Sequence, residues 1–413
     1  MSMPCFPRRL RRWCGLATLP LAAGAVLTLA PLARAQDRAD SRAAVAARFD
    51  VRDSVHGQHA GIASAIGTLG GVPFRIDVPR PWNGTLVVYY HGYALQPVRY
   101  ALAQPQPWLQ PILARGDAVI QSAYADTGWA LRSALADTAR LRAYFIASRG
   151  RPKRSLVLGA SMGGALTALT IESDPGNYQG ALVLCGALAP SWELTQRAFI
   201  MRAAFDYYFP GIFGALDPVP AAYRPTPQIE RRIAAAFAAH PHRFADLRAL
   251  WGVGNARDLP AVIAFATALI QRAQQQAGGD PFGNTEYVYT GTRDDAALNA
   301  GVRRYRADPA AAAFLMRYYT PSGRLLRPML ELHDLGDPLV PASSVFAYAE
   351  RVQRAGHARN FVMQYVPAAG HCVFTGAQVG AAFDELTRWI DRGTRPTPGV
   401  LPDQAGRQAP ASR

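Results

Sequence analysis

The stretch Gly159-Ala160-Ser161-Met162-Gly163 lies where an apolar run over 155–160 gives way to a helix-like pattern over 162–173. A glycine on either side removes the side chains that would clash in a sharp strand-to-helix turn. Such a turn lifts the serine hydroxyl clear of its own backbone. It also places the hydroxyl at a helix N-terminus, where free N–H groups and the helix dipole favour developing negative charge. A helix N-cap serine in a tight turn is the plain alternative, and the surroundings decide between the two.

Those surroundings have a rhythm. The runs TLVVYYH (85–91), AVIQSAY (118–124), SLVLGA (155–160) and GALVLCG (180–186) are continuously apolar or β-branched, as buried parallel strands are. Helical spacing fills 130–148 and 162–173, and Gly70-Gly71 joins strand-like segments 61–69 and 72–78 as a hairpin. From about 188 to 322 the alternation stops. Helical segments at 191–209, 226–240, 258–277 and 308–319 follow one another without a strand. Strand 328–334, helix 342–356, strand 361–367 and helix 376–392 then restore it. The expected class is α/β: a mostly parallel sheet flanked by helices, with core segments 61–187 and 323–392 and a helical lid insertion over 188–322. Residues 36–60 read as a polar leader, and 393–413, with four prolines and little apolar pattern, as a disordered tail.

The first 35 residues belong to no fold. Arg8, Arg9, Arg11 and Arg12 precede an apolar stretch over 14–32, and Ala33-Arg34-Ala35 fits a small-x-small cleavage site. This is a signal-peptide pattern, so a periplasmic or secreted protein with no stable membrane anchor is expected. Cleavage removes five arginines and no acid from a formal net charge of +15. The remaining basic residues are arginines except Lys153, and they form no cluster with interleaved aromatics, so a nucleic-acid partner is not expected. Half of the chain is hydrophobic and 18% is charged, a globular composition. Oligomeric state is not legible.

A Gly-x-Ser-x-Gly turn between strand and helix, followed by an acid and then a histidine, resembles the α/β-hydrolase superfamily. The resemblance covers roughly 60–190 and 323–392, and it implies that fold, a serine nucleophile and no cofactor or metal. It assigns Ser161 as nucleophile. His371, in the glycine-containing loop of VPAAGHCVF after the last strand, would be the base that takes the serine proton. His333-Asp334-Leu335-Gly336-Asp337-Pro338-Leu339-Val340-Pro341 resembles the segment that carries the family's acid, which points to Asp337. Asp334 stands where the family has glycine and is the rival acid. The acid would hold the imidazole in the right tautomer and stabilise its protonated form. Backbone N–H groups of Met162 and of Tyr93, in the loop His91-Gly92-Tyr93, are the expected oxyanion donors, with Ala94 the alternative to Tyr93.

The other histidines offer less. His240 and His242 flank a proline in the insertion, and His56 and His59 lack a metal-pair spacing. Cys185 and Cys372 remain after cleavage, each beside proposed chemistry. Tannase- and feruloyl-esterase-like relatives tie a cysteine next to the serine to one next to the histidine. Here Ala160 precedes the serine, so a Cys185–Cys372 bridge and two buried free thiols both stay open. The resemblance implies a carboxylic-ester hydrolase acting on a small ester. A serine peptidase of the prolyl-oligopeptidase or iminopeptidase type is the alternative, with short peptides as substrates. Such an exopeptidase needs lid carboxylates, and Glu193, Glu230 and Glu286 are candidates. A non-catalytic binding protein on the same scaffold is the third reading. Aromatic residues of the insertion (Trp192, Phe199, Phe205, Tyr207, Tyr208, Phe209 and Trp251) suit an acyl or aryl group, though most are expected in the insertion's own core.

Overall fold

The computed structural model describes residues 43–103, 105–252, 256–318 and 320–402. The expected signal peptide and the last part of the expected tail lie outside these. The strands are β1 (Val51–His59), β2 (Ile62–Leu69), β3 (Val72–Pro79), β4 (Thr85–Tyr90), β5 (Ala118–Ser122), β6 (Arg154–Ala160), β7 (Gly180–Leu184), β8 (Met329–Gly336), β9 (Phe361–Ala369) and β10 (Gly399–Val400). They form one sheet in the order β1-β2-β3-β5-β4-β6-β7-β8-β9-β10. The first four positions in that order pair antiparallel, and from β5 onward every pair is parallel.

Every residue of β4, β5 and β7 is buried, because helices cover both faces of the sheet. On one face Leu86, Val88 and Tyr90 pack with α2 (Leu131–Arg149), α3 (Met162–Ser173) and α10 (Ala342–Arg354). On the other, Val87 and Tyr89 pack with α1 (Gln110–Ala114) and α11 (Gly376–Arg392). This two-residue alternation sends successive side chains of one strand into two different cores. The glycine hairpin forms as expected: Leu69 pairs with Val72, and Gly70 and Gly71 take φ of 59° and 82°.

Between β7 and β8 the described residues form α4 (Ser191–Tyr208), α5 (Pro227–Ala239), α6 (Pro241–Trp251), α7 (Leu259–Ala277), α8 (Asp295–Gly301) and α9 (Pro309–Tyr318). These helices own a separate hydrophobic core that includes Phe199, Phe205, Phe209, Phe237, Phe282, Tyr289 and Tyr305. Helices α6 and α8 add to the four expected from spacing. Among the described residues no helix is long and apolar enough to cross a membrane.

Two boundary expectations need correction. The expected leader contains β1, a strand whose central residues are exposed and which pairs only with β2. With both faces wet, an edge strand needs no apolar alternation, and its charged and polar residues protect a free edge. The expected tail contributes β10, two residues parallel to β9, with Leu401 fully buried beside it.

Candidate active site

Ser161 follows β6 and precedes α3, with φ 57° and ψ −121°, a conformation that costs a non-glycine residue on the order of 1–3 kcal/mol. The flanking glycines are required by space. A Cβ on Gly159 would lie 2.1 Å from the Gly163 carbonyl oxygen, and one on Gly163 would lie 2.1 Å from that of Tyr90. The turn thus interlocks with the end of β4. The loop after β4 passes so close that a Cβ on Gly92 would stand 3.3 Å from the Ser161 Cβ. The backbone of Ser161 is pinned from its neighbour too: its N–H donates to the Leu184 carbonyl, and the Ala187 N–H donates to its own carbonyl.

Three side chains remote in sequence meet here. His371, on the loop after β9, has Nε2 2.8 Å from Ser161 Oγ and Nδ1 2.6 Å from Asp337 Oδ2. The second carboxylate oxygen of Asp337 accepts the backbone N–H groups of Leu339 (2.8 Å) and Val340 (2.9 Å). Every acceptor of Asp337 is therefore aimed by backbone or by the imidazole. The rival, Asp334, is elsewhere: its Oδ2 accepts the Val373 N–H at 3.3 Å, and its Oδ1 is buried without a partner. Burial and the nearby Asp337 charge push the Asp334 carboxyl up to about 6.

Beneath this runs a network that the sequence did not reveal. Glu331 and His333, both completely buried, lie two residues apart on β8, with His333 Nδ1 2.9 Å from Glu331 Oε1. Glu331 Oε1 also accepts the Gly186 N–H, while His333 Nε2 donates to the Val340 carbonyl at 2.9 Å. Burial pulls the His333 pKa down, but the hydrogen bond and charge of Glu331 outweigh it and leave it raised. The pair links the residue after Cys185 to the residue whose N–H holds Asp337. His333 was visible in the sequence only as part of the acid segment, and nothing in a run of alternating residues marks two of them as a buried pair.

Cys185 and Cys372 are joined, their Cα atoms 5.4 Å apart across 187 positions. Both take positive φ, 46° and 59°, and Cys372 Sγ lies 3.5 Å from His371 Nε2. His91 is not among the residues that line the cavity at Ser161. Its ring stacks on Tyr124 with centroids 3.9 Å apart, its Nδ1 donates to the Gly92 carbonyl at 2.7 Å, and burial lowers its pKa.

Ser161, Met162 and Tyr93 line one cavity, with about 50 Å³ of free volume. Trp129, Trp251, Phe265 and Leu269 close it, so three aromatic rings besides Tyr93 surround the space above the serine. Of the seven insertion aromatics named from sequence, only Trp251 lines this cavity; Phe199, Phe205, Tyr208 and Phe209 lie in the helical core. Glu193, Glu230 and Glu286 are not among the lining residues, and Glu193 pairs instead with Arg351 at 3.4 Å. A roomier cleft of about 550 Å³ beside β2 and β3, lined by His59, Arg80 and Arg115, contains none of these groups.

The parallel strand order, the strained serine at the β6–α3 turn, and an acid and a histidine arriving from the loops after β8 and β9 define an α/β-hydrolase fold. Serine, and not aspartate, occupies that turn. No family model matches it. It is similar to an o-phthalyl amidase of Xanthobacter agilis, 24% identical over 434 aligned positions, covering 87% of this chain and 93% of the relative. Among solved structures, feruloyl esterase B from Aspergillus oryzae matches with TM-score 0.47 and 12% identity, over 87% of this chain and 91% of its own. Candida antarctica lipase A matches with TM-score 0.42 and 15% identity, over 84% and 83%.

Proposed function

We propose that this protein is an exported serine hydrolase that cleaves small carboxylic esters through an acyl-enzyme. One observation carries the reading: a single imidazole lies within hydrogen-bond reach of both Ser161 Oγ and Asp337 Oδ2, at 2.8 and 2.6 Å. His371 Nε2 takes the hydroxyl proton as Oγ attacks the substrate carbonyl carbon, and the carbonyl π pair moves to oxygen. Asp337 holds the Nδ1 proton and stabilises the imidazolium. The N–H groups of Met162 and Tyr93 receive the oxyanion, a contribution typically near 3 kcal/mol per donor. Collapse expels the alcohol, which carries away the proton from Nε2. Water then repeats the sequence on the acyl-serine and releases the acid.

The Cys185–Cys372 bridge braces the histidine loop against the strand end beside the serine. An oxidising compartment suits it, in accord with the signal peptide. The helices between β7 and β8 serve as the lid, since α4, α6 and α7 supply half of the residues that line the cavity at Ser161.

Amide hydrolysis is the second reading, favoured by the likeness to an o-phthalyl amidase. The same acyl-enzyme serves both. An aminopeptidase is disfavoured, because among the described residues no glutamate or aspartate lines the cavity to grip a substrate amine.

The test is fluorophosphonate labelling of the mature protein, followed by rates on p-nitrophenyl esters and matched anilides. Labelling at Ser161 with ester turnover supports the proposal, whereas an unlabelled protein that turns over neither overturns it. N-terminal sequencing of exported protein should begin near Gln36.

A further inference from the structure

Helix α4 carries a fully buried arginine, Arg202, and a half-buried one, Arg197, and they are provided for differently. Arg202 is completely buried, forms an ion pair with Asp206 one turn on, and donates Nε to Thr267 Oγ1 at 3.0 Å. Arg197 has no such partner. Its Nη2 donates to the Trp251 carbonyl, its guanidinium lies 5.9 Å from the Trp251 ring centroid, and no carboxylate pairs with it among the described residues. Burial lowers its pKa, which says that the surroundings hold its charge poorly. Yet Arg197 lines the cavity that holds Ser161, on the helix face shared with Leu194 and Ala198. Among the described residues that line the cavity it is the one cationic side chain, and none of them is acidic.

A charge partly withdrawn from water gains from a partner, because removing an ion from water without compensation is expensive. Guanidinium presents a planar fork that matches a carboxylate, and in an apolar site that pairing is strong. Two other residues that line the cavity carry a buried polar atom without a hydrogen bond, the Tyr93 hydroxyl and Trp129 Nε1.

We infer that Arg197 is the substrate's counter-ion: the preferred ester or amide bears a carboxylate. This rests on the serine-hydrolase reading of the site and deepens it. Three chromogenic esters test it in the full mature chain: 4-nitrophenyl benzoate, its 3-carboxybenzoate analogue, and 3-carboxy-4-nitrophenyl benzoate. The first pair places the carboxylate on the acyl side, the last on the leaving group, and neither allows the carboxylate to attack its own ester. Rates are normalised to hydroxide hydrolysis.

The expected result is a kcat/KM at least roughly tenfold higher for one carboxylated ester than for the neutral one, the range of a charge-assisted hydrogen bond. In Arg197→Met that ratio falls to near one, and Arg197→Lys keeps part of it. Each ratio is internal to one sample, so a partly unfolded variant lowers both rates and leaves it alone. Wild-type protein supplies a second readout: isophthalate should inhibit benzoate-ester turnover at lower concentration than benzoate does. Equal or lower rates on both carboxylated esters in the wild type, or a ratio unchanged in Arg197→Met, overturn the inference while leaving the hydrolase reading standing. No turnover of any ester and no fluorophosphonate label on Ser161 remove both.

Discussion

The sheet's carboxyl edge and the helices between β7 and β8 meet at one cavity but are built differently. At the sheet edge, positions are dictated by backbone: Ser161 is fixed by a positive φ, two glycines without room for a Cβ, and backbone hydrogen bonds to Leu184 and from Ala187. Asp337 is aimed by two backbone N–H groups. In the helices, positions are set by side-chain packing around a core of their own. A backbone-pinned site tolerates no displacement, as bond-making chemistry requires. A side-chain-packed wall can change its lining without moving the reacting groups, which suits selection among substrates.

This contrast can be broken or sharpened by experiment. The largest effect is expected from Ser161→Ala, which should reduce kcat on a p-nitrophenyl ester by at least about 10⁴-fold. The same change relieves a strained non-glycine nucleophile of nothing but its hydroxyl, so the melting temperature should hold. Phe205→Ala empties a fully buried site of the helical core and should cost about 3–5 kcal/mol. Hydrogen exchange should then show lost protection in α4 and α7 with β4 and β6 unchanged. Equal loss in both regions would dissolve the distinction. Replacing Cys185 and Cys372 by serine should cost roughly 2–5 kcal/mol in denaturant titrations, with ester turnover falling more than fluorescence-detected folding.

The smallest effect concerns pH. The Asp334 carboxyl titrates at about 6 in the folded protein against an ordinary 3.8, so its protonated form is the one the fold prefers. Its stabilising contribution is complete below about pH 4 and is lost as pH rises through about 6. Above that, Asp334→Asn should be more stable than the wild type by on the order of 2 kcal/mol, and below pH 4 the two should converge. Urea titrations at pH 4, 5.5 and 7.5 decide it.

Much of the sheet could be read in advance because strands buried on both faces announce themselves as unbroken apolar runs, as in TLVVYY of β4. Strand β1 could not, since VRDSVHGQH leaves its central residues exposed and takes its order from β2. The motif named two acids for one position; only the fold of the β8 loop turned Asp337 to His371 and Asp334 to the Val373 N–H. Arg197 was one arginine among many in the sequence, and its lack of a counter-charge exists only in three dimensions.

By itself, then, the order of residues determined what is local: the glycine-flanked serine turn, the hairpin, the strand and helix periods, and the break between about 188 and 322. Those depend on sterics and on burial periodicity within a few residues. Only the tertiary structure decided which groups converge, because His371 reaches Ser161 across 210 positions and Asp337 across 34. Contacts at that range follow from strand order and packing summed over the whole sheet, and no short window of the chain contains them.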